Sequence, residues 1–149
     1  MGTVYEGLAA RIRKRVALKF IDARLTQNPE AVARFQREAM AASAIESPHI
    51  VQMFDVGVTD DGIPYLVMEL LPGRDLGKHL RSVGQLELGP ALHVCSQVLK
   101  ALAPAHTAGI VHRDLKPDNV FVEEREGEVA IVKILDFGVS KIYAREGVA

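Results

Sequence analysis

The chain has 149 residues, of which 48% are apolar and 25% are charged, and its formal net charge is −1. This composition is typical of a globular protein with enough apolar side chains for a core. The near-neutral charge gives no sequence-wide attraction to nucleic acid, no apolar run reaches the ~20 residues that span a bilayer, and the single Cys95 cannot form an internal disulfide. We therefore expect a cytoplasmic protein with no membrane segment and no nucleic-acid partner.

Two runs rich in strand-forming residues begin the chain, at 4–8 and 15–21, and the short basic stretch between them predicts a hairpin. Lys19 lies in the second run, between the apolar residues Leu18 and Phe20. A charge on a buried surface costs several kcal/mol unless it is paired. Lys19 is therefore expected to have an acidic partner.

A helix is predicted to follow Asn28-Pro29-Glu30, which supplies an N-cap, a proline suited to the first helical position and an acid in the first turn. Glu38 falls on the apolar face of this helix, so an ion pair with Lys19 is the economical arrangement. Such a pair at about 4 Å has a Coulomb energy of roughly 4 kcal/mol before desolvation is subtracted. The alternative is that both charges are exposed and unrelated. The predicted apolar stripe comprises Ala31, Phe35, Ala42 and Ile45.

Two more strands are predicted at 50–58 and 64–70, and Leu71-Pro72-Gly73 then breaks the pattern. Because the elements from there to Gly109 are helical, we place a lobe boundary at this tripeptide. One helix is predicted at 75–83, ended by Gly84, and a longer one from about 90 to 107 with Gly109 as its C-cap. Pro104 predicts a kink or an early end of the longer helix. The apolar stripe of that helix, which places a cysteine in the core, comprises Ala91, Val94, Cys95, Val98, Leu102 and Ala105.

The octet at 112–119, His-Arg-Asp-Leu-Lys-Pro-Asp-Asn, holds three groups that suit attack by a hydroxyl on a phosphate. Asp114 offers a carboxylate base, Lys116 a counter-charge and Asn119 an amide oxygen for a metal ion. A hairpin is predicted at 120–122 and 130–135, and Asp136-Phe137-Gly138 after it adds a second carboxylate beside a glycine, where a turn costs little. We expect His112 to have a structural role, since the octet already contains a base.

The octet and the triplet resemble the catalytic loop and the metal-binding triplet of protein kinases. Gly2-Thr3-Val4-Tyr5 resembles the end of the glycine-rich loop of that family, and Val16-Ala17-Leu18-Lys19 resembles its strand with the nucleotide-binding lysine. The resemblance covers essentially the whole chain. It implies an α+β, two-lobed fold that is truncated: a small β-sheet lobe with one helix at 1–71, lacking its first strand, and the upper part of a mainly helical lobe at 72–149, ending in the activation segment.

The resemblance also implies catalytic roles. Lys19 would hold the α- and β-phosphates of ATP, and Glu38 would fix Lys19. Asp114 would accept or orient the proton of the substrate hydroxyl, and Lys116, a residue typical of serine/threonine kinases at this position, would steady the γ-phosphate. The substrate would be a Ser or Thr of a protein. The implied Mg²⁺ ligands are Asn119 and Asp136.

For the nucleotide, the resemblance implies that Val4, Ala17 and Phe121 enclose the adenine base and that Met68 is the gatekeeper. The backbone of Glu69 and Leu71 would face the base. The implied ATP site comprises Gly2, Val4, Ala17, Lys19, Met68, Glu69, Leu71 and Phe121.

The sequence departs from the family pattern at both ends, because the first glycines of the phosphate loop and the rest of the activation segment are missing. We therefore expect a fragment with little activity, marginal stability and exposed apolar surface on the helices at 75–107. An alternative is a nucleotide-binding module that is inert or regulatory. A small-molecule phosphotransferase is a third possibility, which Lys116 and the triplet disfavour. Arg113 resembles an arginine found in kinases whose activation loop is ordered when a phosphate on the loop binds that arginine. The resemblance therefore implies regulation by phosphorylation.

Overall fold

The computed structural model describes residues 3–10, 13–21, 29–123 and 130–135. They divide into two compact units. The first contains 3–10, 13–21, 29–44 and 52–70, and the second contains 45–51, 71–123 and 130–135. Residues 45–51, which the sequence reading placed in the small lobe, cluster with the second unit because Ile50 forms a parallel bridge with Ile134.

The first unit contains a four-stranded sheet in the order β1-β2-β4-β3, with all neighbours antiparallel. The predicted hairpin of the first two strands is confirmed. The strand predicted at 50–58 begins only at Met53, because Ile50 and Val51 belong to the second unit and pair with Ile134 there. The strands are β1 Thr3–Ala9, β2 Lys14–Phe20, β3 Met53–Val58 and β4 Pro64–Glu69.

One helix, α1 at Pro29–Ser43, belongs to the same unit and packs against β3. It begins at the proline that the sequence indicated, and the predicted N-cap Asn28 lies outside the described residues. Because the helix ends at Ser43, Ile45 of the predicted stripe lies beyond it. The buried residues of α1 are Ala31, Phe35, Ala39 and Ala42.

The second unit contains a three-stranded sheet in the order β5-β6-β7 and two helices. The predicted β6–β7 hairpin is confirmed, and its connection at 124–129 lies outside the described residues. The two-residue strand β5 was not predicted. The elements are β5 Arg74–Asp75, α2 Leu76–Val83, α3 Leu88–Thr107, β6 Val120–Glu123 and β7 Ile131–Ile134.

The helix α2 ends at Gly84 as predicted and begins one residue after the predicted start at Asp75. Asp75 is the N-cap, and its carboxylate accepts a hydrogen bond of 2.7 Å from the Lys78 N–H. Gly84 is the C-cap at a φ of +83°, and its N–H donates to the carbonyl of Leu80 at 2.7 Å. Burial is the largest influence on the pKa of Asp75 and raises it, but the N–H and the ammonium of Lys78 outweigh burial and hold the pKa below its ordinary value.

Replacing Asp75 by Ala is expected to lower the free energy of unfolding by about 1–2 kcal/mol at pH 7, because α2 loses its cap. A folded-state pKa below the unfolded value stabilises the fold above the unfolded pKa, and this stabilisation is lost as the pH falls through the folded pKa. The difference in the free energy of unfolding between parent and variant should therefore shrink as the pH falls below 3.8, the ordinary pKa of an aspartate. Urea unfolding at pH 7, 5 and 3 measures it.

The matched control is Asp61→Ala, since Asp61 is an exposed acid in the turn between β3 and β4. It should change the free energy of unfolding by no more than about 0.5 kcal/mol at any of the three pH values. A difference for Asp75→Ala that persists unchanged at pH 3 would contradict the electrostatic part of the cap.

The end of α3 confirms the predicted C-terminal glycine. Gly109, at a φ of +74°, donates its N–H to the carbonyl of His106 at 2.9 Å, and Ile110 N–H donates to Ala105 at 2.9 Å. This is the Schellman arrangement of a capped helix. Of the two effects expected of Pro104, the early end is wrong, since α3 continues to Thr107, and the kink stays a prediction. Pro104 lies so near the helix end that it removes only one hydrogen bond close to the terminus.

The buried face of α3 agrees with the predicted stripe in part, since Ala105 is buried and Val94 and Val98 pack against the core. Cys95 is exposed, so its assignment to the core is wrong. The helix is apolar on several sides, and periodicity cannot choose a face in that case. The expected exposed apolar surface is present on α3 at Leu88, Leu92 and Leu99. The face that is buried carries Gln97, Ala101 and Ala105.

In the described part of the chain, no helix combines the length and the hydrophobicity that a membrane crossing requires.

Candidate active site

The octet lies between α3 and β6 and is anchored by His112, which is only 2% exposed. Nε2 of His112 lies 2.7 Å from the carbonyl oxygen of Leu135, and Nδ1 accepts the Asp114 N–H at 3.3 Å. Because a carbonyl oxygen can only accept, Nε2 of His112 carries a proton and donates it to Leu135. His112 therefore ties the loop to the residue that follows β7, which supports the structural role expected of it.

Two of the predicted polar residues, Lys116 and Asn119, contact the carboxylate of the third, Asp114. The ammonium of Lys116 lies 3.2 Å from Asp114 Oδ2. Asn119, which is 9% exposed, donates from Nδ2 to the same oxygen at 3.0 Å and to the Asp114 carbonyl at 2.8 Å. Among the described residues, the other carboxylate oxygen, Oδ1, has no hydrogen-bond partner. Lys116 and Asn119 thus hold the carboxylate at Oδ2, and within the described residues Oδ1 is left to accept another hydrogen bond.

The pKa of Asp114 is below its ordinary value. Burial is the largest influence and raises it, but the hydrogen bond and charge of Lys116 and the Asn119 amide together outweigh burial. Asp114 is therefore ionised at neutral pH. A carboxylate with a low pKa is a weak base, so it is better suited to orienting a hydroxyl by a hydrogen bond than to removing its proton early.

Arg113, directly before Asp114, has a φ of +65°, which is uncommon for a residue other than glycine. This left-handed conformation costs about 1–2 kcal/mol. The hydrogen bonds of His112 and Asn119 on either side stabilise the loop in that conformation. Backbone strain of this kind is concentrated at functional sites.

Both described side-chain hydrogen bonds of Asn119 are donated by its amide nitrogen. Its Nδ2 is engaged by Asp114, so its amide oxygen is the atom left for a cation, and oxygen is the donor that Mg²⁺ prefers. The second predicted ligand, Asp136, lies outside the described residues, as does Gly2 of the predicted ATP site. Within the described ranges, no cluster of three or more His, Cys, Asp or Glu could hold a metal. The part of the donor set that is described fits Mg²⁺.

Four of the predicted nucleotide residues share one face of the first sheet. Lys19 on β2 is opposite Val4 on β1, and Ala17 is opposite Met68 on β4. Directly opposite residues point to the same face, and so do residues two apart on one strand. Ala17 and Met68 are buried and Lys19 is half-buried, whereas Val4 is exposed.

Glu38 on α1 is half-buried, and its carboxylate accepts a hydrogen bond of 3.2 Å from Arg34, one turn earlier. The ion pair of Glu38 with Lys19 stays a prediction.

The predicted hinge residues belong to both units. Glu69 lies at the end of β4, and its N–H donates to the Gln52 carbonyl at 2.9 Å. In a hydrogen bond with the Glu69 backbone, a base would therefore have to donate to the Glu69 carbonyl. Leu71 and Phe121 belong to the second unit, where both are half-buried. Their part in an ATP site stays a prediction.

Sequence reasoning missed the contacts that cover the outer edge of β7. Gln97 Oε1 accepts the Val132 N–H at 2.7 Å, and Gln97 Nε2 donates to the Ala130 carbonyl at 3.0 Å. The backbone of His49 and Val51 bonds to Ile134. The available signal was a glutamine at four-residue spacing with Ala101 and Ala105, a polar residue on a face of small residues.

Two further side-chain contacts complete this edge. His93 Nε2 lies 2.9 Å from the Ala130 carbonyl and in contact with Gln97 Nε2. His49 Nδ1 lies 3.0 Å from the Val132 carbonyl. The outward-facing carbonyl of Ala130 and both backbone groups of Val132 therefore have side-chain partners.

The chain is similar in sequence to bacterial serine/threonine kinases. The serine/threonine-protein kinase pkn3 of Myxococcus xanthus is 43% identical over 142 residues, which are 95% of this chain and 26% of the relative. Pkn1 of the same organism is 46% identical over 142 residues, 95% of this chain and 20% of the relative. The chain thus spans about a quarter of these relatives or less.

Among solved structures, the PknI kinase domain of Mycobacterium tuberculosis superposes with a TM-score of 0.82 at 30% identity, covering 95% of this chain and 56% of that one. This likeness confirms the predicted kinase-like fold. The sequence model of the protein kinase domain family matches residues 1–148. The chain belongs to the protein kinase domain family.

Proposed function

We propose that this chain supplies the ATP-binding and catalytic part of a serine/threonine protein kinase, which transfers the γ-phosphate of ATP to Ser or Thr hydroxyls of a protein. The observation that carries the proposal is the carboxylate of Asp114, whose Oδ2 is held by Lys116 and Asn119 while Oδ1 has no partner among the described residues. A hydroxyl needs such an oriented acceptor.

In this mechanism Asp114 receives a hydrogen bond from the substrate hydroxyl on Oδ1 and aligns its oxygen with the phosphorus. Lys116 keeps Asp114 ionised and offers positive charge to the transferred group. Alignment and charge neutralisation carry most of the rate, because phosphoryl transfer needs little covalent help from the protein. The proton passes to Asp114 late in the transfer.

Asn119 Oδ1 and Asp136 would hold Mg²⁺, which supplies positive charge to the phosphates of ATP when it is bound. On the first unit, Lys19 would contact the α- and β-phosphates, and Glu38 would orient Lys19. The adenine base would lie against Val4, Ala17, Met68 and Phe121 and bond to the backbone of Glu69 and Leu71.

We further propose a cytoplasmic location, since the exposed Cys95 suits a reducing compartment. We also propose that the chain acts on a protein substrate and binds no nucleic acid. Arg113 is exposed directly beside Asp114. It would bind a phosphate placed on the activation segment, so phosphorylation would regulate the proposed activity.

The test is Lys19→Met in the longest natural protein that carries this chain. It should weaken ATP·Mg²⁺ binding about tenfold or more, which is about 1.4 kcal/mol, because an apolar side chain cannot contact the phosphates. Transfer to a serine or threonine peptide should be lost with it. Calorimetric titration with ATP·Mg²⁺ and an assay with radiolabelled ATP measure the two effects.

Lys14→Met is the matched control, since Lys14 begins the same strand but extends over the ring of Phe54. It should leave ATP binding and transfer within about twofold of the parent. ATP binding that does not change in Lys19→Met would contradict the proposed role of Lys19. If the parent binds ATP and transfers nothing, the inert nucleotide-binding module replaces the kinase proposal.

A further inference from the structure

We infer that Gln97 on α3 is a positioning residue of the active site, which sets the register of β7 and through it the loop that carries Asp114. The inference rests on the proposed function for its effect on catalysis. The contacts that carry it lie within the second unit and do not depend on that function.

Gln97 uses both ends of its carboxamide on a single strand. It is 6% exposed, and its oxygen and nitrogen bond to Val132 N–H and Ala130 C=O at 2.7 and 3.0 Å. Those two groups are what a neighbouring strand would engage on this edge. A glutamine side chain therefore replaces a strand here. Without the carboxamide the Val132 N–H would lose its partner, while the Ala130 carbonyl would keep His93.

The bond is possible because α3 comes close to β7. Ala101 and Ala105 continue the buried face of the helix, and both are 0% exposed. Methyl side chains let the helix backbone approach, and the longer Gln97 then reaches the strand edge. A larger residue at the alanines would push α3 away from β7, and a shorter one at 97 would not reach it.

The strand leads directly into the active site. Leu135 follows β7, and its N–H donates to the Asn119 carbonyl at 2.9 Å, while its carbonyl oxygen is the partner of His112. His112 and Asn119 in turn hold the backbone and carboxylate of Asp114. A shift of β7 along its axis would move Leu135 and strain both connections.

The next residue in the sequence, Asp136, is the second proposed Mg²⁺ ligand. The strand that Gln97 holds therefore leads in the sequence to both parts of the proposed chemistry, the base and the metal ligands. This is the reason to expect an effect on the rate of transfer and not on stability alone.

The experiment compares Gln97→Met and Gln97→Glu in the longest natural protein that carries this chain. Met has a similar length and no hydrogen-bonding amide, whereas Glu keeps an acceptor for the Val132 N–H. We expect kcat to fall about tenfold or more for Met and less for Glu, with KM for the peptide within about twofold. Amide exchange at Leu135 and Asp114 should be about tenfold faster in Gln97→Met, and exchange at Leu66 in the first unit should not change.

Gln85→Met is the control, since Gln85 is exposed between α2 and α3. It should match the parent in kcat and in exchange. A folded Gln97→Met variant with the parent's kcat and the parent's exchange at Leu135 overturns the inference, and so does a Glu variant that is slower than Met. If Gln97→Met does not fold, kcat and amide exchange at Leu135 are measured in Gln97→Glu instead. A reduced kcat with faster exchange then supports the inference, and parent values for both overturn it.

Failure of the proposed function is distinguishable from failure of this inference. If the parent transfers no phosphate, exchange at Leu135 and Asp114 alone decides. Faster exchange in Gln97→Met then supports the positioning role, and unchanged exchange overturns it.

Discussion

Asp114→Asn is expected to lower phosphoryl transfer by about 10²–10⁴-fold while ATP·Mg²⁺ binding stays within about twofold. The amide has nearly the same shape as the carboxylate, so the contact with Asn119 has a substitute. The negative charge that faces Lys116 is lost, and a neutral amide neither orients the hydroxyl as strongly nor accepts its proton. The loss should therefore appear in kcat, because Asp114 acts mainly in the transition state.

Steady-state transfer to a serine or threonine peptide and calorimetric ATP titration measure the two quantities. Asp118→Asn is the matched control, because it makes the same change four residues later in the same loop. Asp118 is half exposed and pairs with Arg81 at 3.2 Å, a surface ion pair worth about 1 kcal/mol or less. Asp118→Asn should keep kcat within about threefold. Undiminished transfer by Asp114→Asn would remove Asp114 from the mechanism.

Gly73→Ala is expected to lower the free energy of unfolding by about 3 kcal/mol or more. Gly73 has a φ of +120°, a conformation almost limited to glycine, and such strain costs about 1–3 kcal/mol. A Cβ at this position would also collide with the carbonyl oxygen of Val122 on β6. That atom belongs to the backbone of a paired strand, since Val122 is opposite Arg74, so it cannot move away cheaply.

Urea unfolding followed by circular dichroism measures the loss. Gly84→Ala is the control in the same unit, since Gly84 has a φ of +83° and open space where a Cβ would lie. It should cost only the backbone strain, about 1–2 kcal/mol. A larger loss for Gly73→Ala than for Gly84→Ala is expected from the collision with β6. Equal costs for both would mean that the sheet yields at Val122.

Local signals in the sequence predicted α2 and the end of α3 well. Gly84 and Gly109 act through their own backbone geometry and Asp75 through a side chain that bonds within the first turn, so a helix that they bound can be located without knowing what it packs against. The contacts within the loop at 112–119 were predictable for a similar reason. Asp114, Lys116 and Asn119 are close in the chain, and the loop that joins them is short enough to bring them together.

The remaining errors concern long-range packing. Ile50 and Val51 look like the start of β3, but they pair with Ile134, which is far away in the chain. Cys95 was placed in the core because α3 is apolar on several sides, whereas the buried face is selected by the approach to β7. Neither result depends on a local pattern, so neither could be obtained from periodicity. The Lys19–Glu38 pair is of this long-range kind too and stays a prediction.

The side-chain cover on β7 also bears on how molecules of this protein associate. Strand edges with free N–H and C=O groups can pair with another chain and begin aggregation. On the outer edge of β7, the Ala130 carbonyl and both backbone groups of Val132 and Ile134 already have partners. This edge therefore offers no template for an intermolecular strand, and the sheet is protected there against edge-to-edge association without a further strand of its own.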